Sequence, residues 1–308
     1  MKTDTIAENR LPGRMHRHGG RYYVRSALHI FVLILITVVL FLPLVALLFM
    51  SFKSDNDLLF YNYSLFPHDW TFQNYVNVFN LEGGTQLDFF GSIGNTVLIT
   101  VCSLVGTVFT SALCAYGFTR FRVRENSVVF SILLAGTLIP SQVLQIPMYE
   151  VYYQLGWIDT FYPFIVPAFF GGGILNIYLM REFMRGISPS MFEAAEIDGA
   201  GELRMFFQLA LPLSLPVLVT VAIFTFQGTW NDFYGPLLYI NSPEKYTLAL
   251  AVYQFSTNFN SYTGSMSTMT PWNLIAAVNI LSMLPIIILY SFGQKYFIEG
   301  ISLGSVKG

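Results

Sequence analysis

One stretch of the 308-residue chain concentrates acid. Residues 181–204 hold five of its 18 Asp and Glu: Glu182, Glu193, Glu196, Asp198 and Glu202. Glu193 and Glu196 fall on one face of any helix there, where like charges cost a few tenths of a kcal/mol. Ala194 and Ala195 between them leave a small, closely approachable surface, and Phe192 and Ile197 supply an apolar side. Ser190 followed three residues later by Glu193 reads as a capping box, with Ser188 before Pro189 as an alternative start. Gly199 is placed to stop the helix in a left-handed conformation, and a second short turn from about residue 201 leads onward. Such a helix suits recognition: its acidic edge fits a groove on a partner. Packing on its own bundle is an equally weighted reading.

Other chemistries find little support. A P-loop needs Gly-Lys-Ser/Thr, and the residues before the five lysines are Met1, Phe52, Glu244, Gln294 and Val306. The chain therefore hydrolyses no ATP by that route. His29 stands alone in an apolar run, and His16, His18 and His68 lie outside such runs. Cys102 and Cys114 are twelve residues apart, about 18 Å along a helix, which is too far for a bridge. Aromatic faces and neutral hydrogen-bonding groups bind sugars; the candidates are Asn95, Tyr149, Tyr152, Tyr153, Trp230, Asn231 and Asp232. The same Tyr and Trp also fit an interfacial belt, and Asn231-Asp232 fit a helix cap.

These residues need elements to hold them. Only 11% of the chain is charged while 54% is hydrophobic, against about 25% charged in a soluble domain. That excludes an ordinary soluble enzyme, a disordered chain and a nucleic-acid binder. Six charge-free stretches are long enough to span a bilayer. Their apolar parts are 28–50, 95–118, 128–148, a segment between Asp159 and Arg181, 206–226 and 273–291. The first is too long for a signal peptide and no small-residue cleavage site follows it. Fourteen of the 16 Lys and Arg fall on the N-terminal tail, alternate links and the C-terminal tail, leaving Lys53 and Lys245 on the other side. Basic segments stay cytoplasmic, so both termini are expected there. No span buries a carboxylate, as a proton-coupled carrier typically would. Energy must enter from outside the chain, and the acidic link is the expected inlet.

Residues 1–26 read as a basic cytoplasmic tail, 27–297 as a six-helix domain with its acidic link at 186–204, and 298–308 as a cytoplasmic tail. The external segment 51–92 is expected to hold a short helix near 72–79, and 230–271 reads as an external loop, polar without charge. Prolines at 43, 140, 147, 163, 167, 212, 216 and 285 kink the spans. They serve helix geometry alone or line a path that opens and closes. Gly171-Gly172-Gly173 reads first as close packing and second as flexibility.

The run Glu193-Ala194-Ala195-Glu196-Ile197-Asp198-Gly199-Ala200, followed by Leu211-Pro212-Leu213, resembles the loop motif of bacterial ABC importer permeases, with Leu209 where Ile is common. Gly94-Asn95-Thr96, the stretch 115–120, Ile146-Pro147-Met148-Tyr149, Trp230-Asn231-Asp232-Phe233 and the ending from Tyr296 to Gly308 resemble the shorter permease of maltose-type carbohydrate uptake pairs. The resemblance covers residues 27–308. It implies an all-α membrane protein of type I importer fold with six transmembrane helices, in the bacterial cell membrane, that is no enzyme. Glu193, Ala194, Ala195, Asp198 and Gly199 would form a coupling helix docking on a cytoplasmic ATPase, and Lys307-Gly308 would also reach it. Implied partners are a longer permease, two ATPase subunits using ATP and Mg, a sugar-binding protein outside, and membrane lipid. The chain itself would bind no cofactor. The rival readings are a permease for another solute such as glycerol phosphate, and a stand-alone carrier.

Overall fold

The computed structural model describes residues 20–61, 63–80, 88–121, 126–262 and 271–305, with side chains over 27–61, 63–80, 88–121, 126–257 and 271–293. Residues 1–19 and Lys307-Gly308 lie outside. The described residues form helices in the order α1 (Gly20–Ser51), α2 (Asp55–Phe60), α3 (Gln73–Phe79), α4 (Phe89–Arg120), α5 (Asn126–Ala135), α6 (Ser141–Gln154), α7 (Tyr162–Ile165) and α8 (Ile174–Met184). There follow α9 (Pro189–Ile197), α10 (Glu202–Met205), α11 (Leu211–Leu213), α12 (Leu215–Trp230), α13 (Tyr234–Tyr239), α14 (Leu248–Tyr262) and α15 (Trp272–Ser305). No strand occurs among the described residues beyond one antiparallel bridge, Lys53 with Trp70.

Among the described residues, four stretches are long and apolar enough to cross a membrane: Ala27–Ser51, Phe89–Arg120, Tyr162–Met184 and Trp272–Gly293. Two bent pairs make six when each counts as one span: Asn126–Leu138 with Ser141–Gln154, bent by 97°, and Glu202–Leu213 with Leu215–Trp230, bent by 78°. The bends follow from proline. Pro140 ends the first limb because the residue before it avoids the α region. Pro212 and Pro216 cannot donate to the carbonyls four residues back, so the ladder widens to a π-turn over Phe206–Ala210 and breaks at Ser214.

α4 lies at the centre, packed against α8, α12 and α14. Its buried side carries Ser92, Thr96, Thr100, Ser103, Gly106, Thr107 and Ser111 at helical spacing. Small residues let backbones approach closely, and here the approaching backbone is irregular. The Ser103 hydroxyl donates to Phe164 O at 3.1 Å, Thr110 to Ala168 O at 3.1 Å and Ser111 to Gly171 O at 3.1 Å. These bonds satisfy carbonyls that lipid could not. Gly171, Gly172 and Gly173 all have positive φ, at 99°, 61° and 97°. A Cβ on Gly172 would lie 2.6 Å from Thr107 Cα, so close packing requires that glycine, while Gly171 and Gly173 have room for a Cβ and are required by their positive φ.

Two cores result. The inner one gathers Ala112, Ala115, Tyr116, Ile177, Met180, Phe206 and Val221. The outer one gathers Val78, Phe89, Trp230, Leu248, Phe255, Leu274 and Val278. Leu248, Ala251 and Phe255 reach that core from α14, so the segment 230–271 is not simply a loop. Its apolar positions recur at helical spacing, and the absence of charge hid them. The short helix expected near 72–79 is α3, and α15 continues as one helix through Ser305.

Candidate functional site

α9 crosses the basic side of the bundle between α8 and α10. It begins with Pro189 as its first helical residue and Ser188 as its N-cap, since proline is preorganised for that position. Ser190 is already inside the helix, so the Ser190–Glu193 capping box does not form; its hydroxyl meets that of Ser188 at 2.8 Å instead. The end is as the sequence requires. Gly199 takes φ +76°, its N–H donates to Glu196 O at 2.9 Å, and the Ala200 N–H donates to Ala195 O at 2.9 Å. That pair of bonds is the Schellman motif.

The acidic edge is divided. Glu196 forms an ion pair with Arg120 at the end of α4. Glu193 and Asp198 are exposed and make no ion pair among the described residues. The apolar side is divided as well. Phe192 packs into the inner core, whereas Ile197 is 87% exposed. Five residues along a helix is a rotation of about 140°, so the two cannot share a face. Ala194 is exposed and Ala195 half-buried. Glu193, Ala194, Ile197 and Asp198 therefore present a small, acidic and apolar surface outward, with Leu203 beyond it at 71% exposure.

At the opposite end of the bundle a cavity of about 260 Å³ opens among Ile99, Phe164, Thr229, Asp232, Tyr239 and Thr247. Asp232 accepts the Gly235 N–H at 3.1 Å and caps the start of α13. Burial pushes its carboxyl up from the usual range, against the bonds from Gly235 and Tyr234 N–H. The Thr247 hydroxyl is buried with no partner among the described residues. Tyr149 stacks on Tyr239 at 6.2 Å, and Tyr152 meets Tyr239 edge-on at 5.1 Å. Asp232 and Tyr149 are thus brought together through Tyr239. The volume is below the about 300–1,000 Å³ of ordinary small-molecule sites.

The other candidates are held elsewhere. The Asn95 amide donates to Glu244 O at 2.9 Å and Tyr246 O at 3.1 Å, which makes it a tie between α4 and the turn before α14. Trp230 is 6% exposed, stacked on Phe226, with its indole N–H on Ser282 O at 3.2 Å. It is a core residue and offers no open face to a path. Asn231 is exposed just beyond α12 and is not among the residues lining the cavity. Tyr153 is exposed on α6.

The sequence reading missed the residues that hold these ends in place. Asp159, at φ +58°, accepts from Asn241 N–H, Ser242 N–H, the Ser242 hydroxyl and Lys245. Burial alone would raise its carboxyl, but these donors outweigh it and hold the group well below the usual carboxylate range. Arg120, Tyr116 and Glu202 form the corresponding cluster beside α9. The partners are more than eighty residues apart in each case, beyond any local pattern.

Comparison with known proteins agrees with this architecture. Residues 107–302 match the family model described as the binding-protein-dependent transport system inner membrane component. The chain is 34% identical over 272 residues to the putative ABC transporter permease protein ORF2 of Caldicellulosiruptor sp. (strain Rt8B.4), covering 88% of this chain and 94% of that one. It is 28% identical over 298 residues to the arabinooligosaccharides transport system permease protein AraQ of Bacillus subtilis (strain 168), covering 96% and 100%. It is 30% identical over 270 residues to that organism's melibiose/raffinose/stachyose import permease protein MelC, covering 87% and 92%. A chain of a bacterial ABC transporter involved in the import of the acidic polysaccharide alginate superposes with TM-score 0.78 at 24% identity, covering 91% of this chain and 99% of that chain.

Proposed function

The chain belongs to the family of binding-protein-dependent transport system inner membrane components, and from that premise we propose which solute it moves and how ATP drives it. It is a multi-pass cell-membrane permease subunit of an ABC importer, and no enzyme itself. Its cargo is a sugar or oligosaccharide, as the names of AraQ and MelC suggest for those relatives. It works beside a second, longer permease, above two cytoplasmic ATPase subunits that use ATP and Mg, and beneath an external sugar-binding protein.

One observation carries the coupling: α9 turns Glu193, Ala194, Ile197 and Asp198 away from its own bundle while Phe192 anchors it from behind. A carboxylate left outward beside small residues complements a basic groove, and such charge pairs fix register and choice of partner. Glu193 meets the ATPase, and Gly199 supplies the turn that sets the angle of the helix. Closure of the ATPase pair displaces α9, the broken spans around α4 rock, and the path alternates between sides. The small cavity at Asp232 is one wall of that path, which the second permease completes.

Purification of the tagged chain from its own cells tests this reading. A second permease and an ATPase are expected to copurify. Recovery of a functional homo-oligomer alone would sink it.

A further inference from the structure

Glycine links flank α9: Gly186 precedes it, and Gly199-Ala200-Gly201 follows. The backbone bonds at these turns, Gly186 N–H to Phe183 O at 2.9 Å and the pair at Gly199-Ala200, are local and do not reach α4. Side chains supply the stiffness, and they converge on one residue. The Arg120 guanidinium pairs with Glu196 on α9 and, through Nε at 3.3 Å, with Glu202 at the start of α10. It also lies 5.7 Å from the Phe192 ring centroid. Tyr116, one turn back on α4, donates its hydroxyl to Glu202 at 2.7 Å. A planar fork can hold two carboxylates and cover a ring at once, which an ammonium cannot.

We propose that Arg120 is a positioning residue that fastens α9 and α10 to the end of α4, so that α9 and α4 move as one lever. The inference rests on the coupling role of α9. Displacement of α9 then reaches directly the helix around which α8, α12 and α14 pack.

Spin labels at Ser190→Cys on α9 and Leu113→Cys on α4 test this in the purified whole transporter, with Cys102 and Cys114 replaced by Ser. With Arg120 present, the distance distribution is expected to be narrow and the same with and without bound ATP. In Arg120→Ala it should broaden by about twofold and shift on ATP binding, with Arg120→Lys in between. Glu196→Gln combined with Glu202→Gln, which leaves Arg120 in place, should broaden it likewise. ATPase subunits that fail to copurify with the unmodified chain overturn the coupling reading. ATPases that copurify and turn over, with a narrow, ATP-independent distance in Arg120→Ala, overturn the fastening alone.

Discussion

At the outer end, Asn273 donates to Lys53 O, to Asp55 and to Asn74, while Lys53 itself is buried and donates to the carbonyls of Tyr61 and Ser64. Asp159 gathers four donors from the segment after α13. At the cytoplasmic end, Glu193, Asp198 and Ile197 face outward from a helix tied back through Arg120 and Phe192. One end spends its polar groups within the chain, where each buried bond is expensive to break. The other leaves the carboxylates of Glu193 and Asp198 exposed, without an ion pair among the described residues. The outer end is internally tied, and the inner one keeps free the carboxylates that the proposed coupling would use.

Stability and coupling should therefore respond to different residues. The largest stability effect belongs to Asn273→Ala, which strands several buried partners and should cost about 3 kcal/mol in detergent unfolding. Asp159→Ala removes the anchor of Lys245 and should cost about 2 kcal/mol, less than a fully buried pair because both groups are partly exposed. Its depressed carboxyl adds a pH signature. The stabilisation is complete above the unfolded carboxylate range, near pH 4, and is lost as pH falls through the lower folded value. Acid unfolding of Asp159→Asn should accordingly be shallower than that of the parent below about pH 4. Gly199→Ala meets no neighbouring atom within 4 Å, so only backbone strain opposes it, at about 1–2 kcal/mol. Glu193→Ala should change stability by less than about 0.5 kcal/mol. A large stability loss there would erase the contrast between the two ends.

Legibility in the sequence follows the range of the interaction. The charge-free stretches gave the spans, because lipid tolerates little else. Gly199 was readable because a helix stop needs a positive φ at one defined place. The start of α9 lay two residues earlier than the capping box suggested, since Pro189 determines the first turn. α14 was hidden because its polar face carries no charge to alternate with Leu248, Ala251 and Phe255. The roles of Asn95 and Trp230 depend on carbonyls 149 and 52 residues away, and composition offers no hint of such partners. The same distance in sequence concealed the pairing of Arg120 with Glu196 and Glu202, although the stretch 115–120 that contains it was conspicuous.

The most direct test of coupling through α9 is sugar uptake by cells whose only copy of the chain carries Glu193→Lys. Reversing an interfacial charge costs several kcal/mol, so uptake should fall about tenfold or more while the chain stays in the membrane at its normal level. Unimpaired uptake, with the ATPase still recruited, would contradict the account.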